Sequence, residues 1–142
     1  MGFLAHREQH IRELDDVDAE GQPRRAIMDI TTTINDRQYL IDISVTDAVS
    51  DCPTRTTTRS RTDATAAKER ETQKRTRYNN DHRLIPFVLE TGGRWGPTAE
   101  KWIRNVAPTD LQERSTTLAN LRYGIAAALQ RSNADMILTA HN

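Results

Sequence analysis

Three features of this sequence predict a small α/β domain, with a central mixed sheet that starts in a β-hairpin and is flanked by helices. Residues 26–46 hold two runs rich in Ile, Val, Thr and Tyr on either side of a polar break at Asn35-Asp36, the pattern of a hairpin. Residues 84–90, Leu-Ile-Pro-Phe-Val-Leu-Glu, form a compact apolar run that suits a buried strand. Helical patterns then occupy the stretches between and after these strands.

In chain order, Phe3, Leu4, Ile11 and Leu14 have a loosely helical spacing, so a short helix is expected over residues 3–14. It frays into an acidic, glycine-containing linker over 15–23, and residues 1–23 form a segment preceding a core of 24–107. Glu8 and Glu13 read as surface acids of that helix, the alternative being a carboxylate set beside a catalytic site. In the hairpin, a two-residue turn at Asn35-Asp36 sets Ile30 against Ile41, Met28 against Ile43 and Asp29 against Asp42. Met28, Ile30 and Ile34 then share a face with Tyr39, Ile41, Ile43 and Val45, while Asp29, Thr31, Asp42, Ser44 and Thr46 share the other. A four-residue loop would keep these faces and move the two aspartates to a diagonal. Like charges directly opposed across strands cost about 0.2–1 kcal/mol. Either a divalent cation between Asp29 and Asp42 removes that repulsion, or both carboxylates point to solvent from a half-exposed sheet.

Residues 48–63 are rich in Thr and Arg, broken by Pro53 and without periodicity, and are expected to be a mobile loop. Asp63 is placed to cap a helix over about 64–80, one face of which carries Ala67, Arg70, Lys74, Arg77 and Tyr78. Its apolar content is mostly alanine, which argues against a deep core helix. The basic stripe with an aromatic near its end suits either a solvated surface or a nucleic-acid backbone. Beyond the 84–90 strand, Pro97 suits the first turn of a helix carrying Trp102, Ile103 and Val106, stopped by Pro108. Thr109 with Gln112 predicts a capping box for a C-terminal helix in 108–142, with Leu111, Leu118, Leu121, Ile125 and Leu129 facing the core and a separate short apolar segment at Met136 to Leu138.

At 142 residues the chain is long enough for one domain with a core of moderate size. Its formal net charge is zero but segregated: residues 7–20 hold six acids against two arginines, and residues 55–83 hold nine Lys or Arg against four acids. Such segregation points to an anionic partner for the basic half. The single Cys52 excludes a disulfide within the chain and a cysteine-rich zinc site. His6 and His10 alone supply too few ligands for zinc and read as exposed residues. With no signal-peptide or membrane-span pattern, an intracellular protein is expected, nuclear if its host is eukaryotic. Phosphate-loop, nucleophile-elbow and zinc-protease motifs are missing.

Several short stretches in order resemble the restriction-like endonuclease domain found at the C-terminal end of non-LTR retrotransposon polyproteins, a branch of the PD-(D/E)XK nucleases. They are residues 24–30 (Arg-Arg-Ala-Ile-Met-Asp-Ile), 39–45 (Tyr-Leu-Ile-Asp-Ile-Ser-Val), 74–78 (Lys-Arg-Thr-Arg-Tyr), 85–93 (Ile-Pro-Phe-Val-Leu-Glu-Thr-Gly-Gly) and 126–134 (Ala-Ala-Ala-Leu-Gln-Arg-Ser-Asn-Ala). The resemblance implies a restriction-endonuclease-like fold and a metal-dependent nick in DNA that primes reverse transcription. It matches Asp29 and Asp42 to the two acids that hold magnesium or manganese, and Lys74 to the catalytic lysine. In this branch the lysine sits on the helix in a K-x-x-K-Y pattern, with Tyr78 as the tyrosine and Arg77 in place of the second lysine; the usual (D/E)xK lysine would fall at Ser44. Lys68, Arg70, Arg77 and Tyr78 would contact DNA. Met28 replaces the usual proline, and Glu90 would add a ligand only if its strand lies beside Asp42. A reverse transcriptase module is the expected neighbour in a longer polyprotein, of which this chain would be a fragment. The alternative is a catalytically inactive DNA-binding or assembly module with a nuclease-like fold.

Overall fold

The computed structural model describes residues 5–47 and 64–140. Its centre is a four-stranded mixed sheet in the order β1-β4-β5-β6, built from β1 (Ala5–His10), β4 (Ile27–Ile34), β5 (Arg37–Thr46) and β6 (Leu84–Glu90). A small ribbon, β2 (Asp16–Val17) with β3 (Pro23–Arg24), stands beside it. The helices are α1 (Thr65–Arg77), α2 (Pro97–Val106) and α3 (Leu111–Ala140). A mixed α/β domain was expected from the sequence, and this is one.

The hairpin has the register expected of a two-residue turn, from Ile34 opposite Arg37 to Ile30 opposite Ile41. Asn35 and Asp36 have φ of 50° and 59°, the positive values that a type I′ connection needs and that Asn and Asp tolerate well. β5 then pairs in parallel with β6, Asp42 opposite Pro86 and Thr46 opposite Glu90. A parallel pair needs a long crossover, and α1 lies on it. Pro86 is compatible with the middle of β6 because, among the described residues, that strand has a neighbouring strand on one side only.

Each face of the sheet has its own core. On one, Leu40, Met28 and Leu84 pack with Leu14, Ala26 and Tyr78, and Val88 packs with Ala64 and Ala67 of the α1 region. On the other, Ile41, Phe87 and Leu89 pack with Trp95, Ala99 and Leu129, with Trp102, Ile103, Leu121 and Ile125 closing the cluster. β6 is therefore covered on both sides, which is why it reads as an uninterrupted apolar run.

Several sequence expectations are corrected. Residues 5–10 are a strand, not a helix: too few apolar side chains recur at helical spacing, and β4 offers an edge that Ala5 to His10 pairs with. Only a 3-10 turn at Arg12–Leu14 is helical there, and the acidic linker contains the β2–β3 ribbon. Met28 joins the Leu40 face rather than the Ile30 face. The alternation slips because the β4–β5 ladder ends at Ile30–Ile41, so Asp29 does not pair with Asp42; Asp29 accepts the Ile43 N–H at 2.6 Å instead. Opposite this point Glu8 has φ of 52°, a local break in β1.

The start of α3 is capped by Asp110, whose carboxylate accepts the Glu113 N–H at 2.9 Å, and not by Thr109. Leu111 is 81% exposed, leaving the core stripe to begin further along, and α3 runs through 136–138 as one helix. The expected loop 48–63, with Cys52 and the Asp63 cap, lies outside the described residues.

Candidate functional site

α1 approaches the sheet closely because the side chains it turns toward β6 are small. Ala66 and Ala67 are fully buried, and Glu71, Lys74 and Tyr78 continue the same face. The alanines that argued against a core helix are thus what lets it lie against Val88. This closeness carries the Lys74 ammonium to 2.6 Å from Oδ1 of Asp42 and 3.5 Å from the carbonyl oxygen of Ile43. Both side chains are nearly dry, 7% exposed for Lys74 and 12% for Asp42.

Tyr78 completes the arrangement. It is 2% exposed, and its hydroxyl lies in the field of the Asp42 carboxylate. Burial, then the adjacent Asp42 charge, pushes the phenol up to about 12. Its burial corrects the expectation that Tyr78 contacts DNA: little of the ring is left to touch a strand. Burial also holds the Lys74 ammonium below the usual lysine range; Asp42 opposes this shift, Arg70 adds to it, and Asp29 opposes it from further off. Lys74 is thus in the field of both sequence-selected carboxylates.

The site opens into a cleft of about 680 Å³ lined by Asp42, Ser44 and Lys74 together with Arg24, Arg70 and Arg77. Inside it the Ser44 hydroxyl and Arg77 Nε are buried without a hydrogen-bond partner among the described residues. Arg70 is exposed and Arg77 half-buried, its guanidinium 5.0 Å from the Tyr78 ring centre. Lys68 is exposed on α1 and is not among the residues lining this cleft.

Glu90 does lie on the strand beside β5, but at its far end, opposite Thr46. There it accepts the Ala67 N–H at 3.3 Å, with Arg94 3.7 Å from its other oxygen, so it satisfies the first turn of α1. Glu71, which no sequence pattern singled out, does the same for α2: it accepts from the Thr98 N–H at 2.9 Å and the Thr98 hydroxyl at 2.7 Å. The only trace in the sequence is Gly96-Pro97, a helix start with no side-chain cap of its own. Glu13 pairs with Arg83 at 3.1 Å.

Among the described residues, no group of three or more His, Cys, Asp or Glu side chains could hold a metal ion. Magnesium takes one or two carboxylates from a protein and keeps water and phosphate oxygens for its other positions; of the two sequence-selected acids, Asp42 lines the cleft and Asp29, bound to the Ile43 N–H, is not among its lining residues. No helix among the described residues is long and apolar enough to cross a membrane. No protein-family model matches the chain, and no curated protein or solved structure is significantly similar to it.

Proposed function

We propose that the chain is a metal-dependent DNA endonuclease domain of the restriction-like, PD-(D/E)XK type, acting by nicking a strand. The observation that carries this reading is the buried Lys74 ammonium, brought by a helix to 2.6 Å from Asp42 at the edge of a cleft lined by three arginines. A purely structural ion pair gains little over an apolar pair in such a place, because both charges must be desolvated. Opening such a pair onto a basic cleft suits work on an anion.

Asp29 and Asp42 would hold a magnesium or manganese ion, whose part when bound is to make a water nucleophilic at neutral pH and to offset charge on the phosphate. The chain's own residues do the rest. Lys74 places a positive charge where negative charge gathers on the phosphoryl oxygens. Tyr78, buried beside the pair, keeps water from that side of the Asp42 carboxylate. The Ile43 N–H fixes Asp29 through one oxygen. Arg70 and Arg77 hold the backbone of the strand without reading its bases. Within such a reading a reverse transcriptase module is a natural partner in a longer polyprotein, and the site of action is nuclear in a eukaryotic host.

The test is nicking of supercoiled plasmid with magnesium. Asp29→Asn keeps an acceptor for the Ile43 N–H, so the fold survives while the charge is lost. Nicking by the wild type, abolished by EDTA and reduced at least a hundredfold in Asp29→Asn and Lys74→Met, supports the assignment. Equal nicking by all three proteins refutes it. A second reading, an inactive DNA-binding module, draws on Asp42 already being paired with Lys74. It predicts salt-sensitive DNA binding, no nicking, and a melting temperature indifferent to magnesium.

A further inference from the structure

Arg24 reaches the cleft from a different direction than the α1 arginines. It sits on β3, in the ribbon beside the main sheet, and lines the same cavity as Arg70 and Arg77. Its guanidinium is engaged by Asp16 across the ribbon in a forked contact, Nε to Oδ1 at 3.0 Å and a second, shorter bond from Nη2 to Oδ2. Arg24 is also within electrostatic reach of the Tyr78 hydroxyl.

We propose that Arg24 is a phosphate-gripping residue of this cleft, that Asp16 occupies its guanidinium fork in the free protein, and that a nucleic-acid phosphate takes the place of the Asp16 carboxylate. The inference rests on the endonuclease reading for the identity of the anion. Its own support is geometric. A carboxylate and a phosphodiester both present two oxygens to the planar fork of arginine, so one can substitute for the other at the same guanidinium. The pair is wet, with 42% of the Arg24 side chain and 23% of that of Asp16 exposed, so exchanging its anion carries little desolvation cost. With Arg24 on the ribbon and Arg70 and Arg77 on α1, a strand in the cleft is held from two elements rather than one.

Fluorescence anisotropy of a labelled DNA duplex, in EDTA so that nothing is cut, tests this across a salt series. Arg24→Ala is expected to weaken binding three- to tenfold, roughly, and to flatten the slope of log K against log salt by about 0.9, one phosphate contact. Arg131→Ala, on α3 away from the cleft, leaves that slope unchanged. Asp16→Asn frees the guanidinium and is expected to tighten binding by a similar factor. Both Arg24→Ala and Asp16→Asn break the same ion pair, so a bracing role for it moves binding the same way in both; that outcome overturns the proposal. An unchanged slope in Arg24→Ala also overturns it while leaving the endonuclease reading intact, whereas no duplex binding by the wild type overturns both.

Discussion

Replacing Lys74 by methionine leaves the Asp42 carboxylate in a site only 12% open to water, and replacing Asp42 by leucine leaves the ammonium in one that is 7% open. At a separation of 2.6 Å the attraction between the two charges is roughly 6 kcal/mol at an effective dielectric of about 20. Desolvating each ion costs several kcal/mol, so the intact pair contributes little net stability. Losing one partner keeps the other's desolvation cost without the attraction, and each single variant is expected to lose about 3–5 kcal/mol. The double variant Asp42→Leu with Lys74→Met removes both costs. What remains is the buried Tyr78 hydroxyl facing an apolar site, so the loss in the double variant is expected to be about 1–3 kcal/mol, and Tyr78→Phe in the same background recovers it. Urea unfolding of the four proteins gives the coupling directly. A double variant destabilised by the sum of the single losses would refute the claim that these charges are buried against each other.

Two further outcomes follow from the same coordinates. Tyr78 has its pKa raised from 10.0 to about 12, so the folded state holds a proton that the unfolded chain gives up. Its contribution is complete below pH 10 and is lost as pH rises through 12, roughly 3 kcal/mol in total. Alkaline unfolding curves should show that loss in the wild type and not in Tyr78→Phe. Gly96→Ala would set a Cβ 2.3 Å from Oε1 of Glu71 and 3.1 Å from the Val88 carbonyl oxygen, against an N–H···O bond that Gly96 already makes with Val88. Displacing Glu71 from the start of α2 is expected to cost about 1–3 kcal/mol, measured by thermal unfolding; an unchanged melting temperature would show that Glu71 moves aside freely.

Local patterns settled what depends on near neighbours. The Asn35-Asp36 turn, its register and the apolar run of β6 were legible because turn chemistry and a period of two are short-range properties. So was Pro97 at the start of α2. Residues 5–10 form a strand because pairing with β4 comes from residues far along the chain and overrides a weak helical spacing. The slip at Asp29 is not legible in the sequence for a related reason: it depends on where two ladders end, not on the side chains in between.

The candidate site divides the same way. Asp42, Lys74 and Tyr78 could each be picked out in the sequence, and their meeting requires only that α1 cross from β5 to β6 on one face of the sheet. Which cations line the cleft, that Tyr78 is buried, and that Glu71 and Glu90 cap helices rather than face Asp42 were decided by tertiary packing alone. Residue type determines what charge a side chain carries. How much water remains around that charge, and which distant group answers it, is set only when the helix has docked.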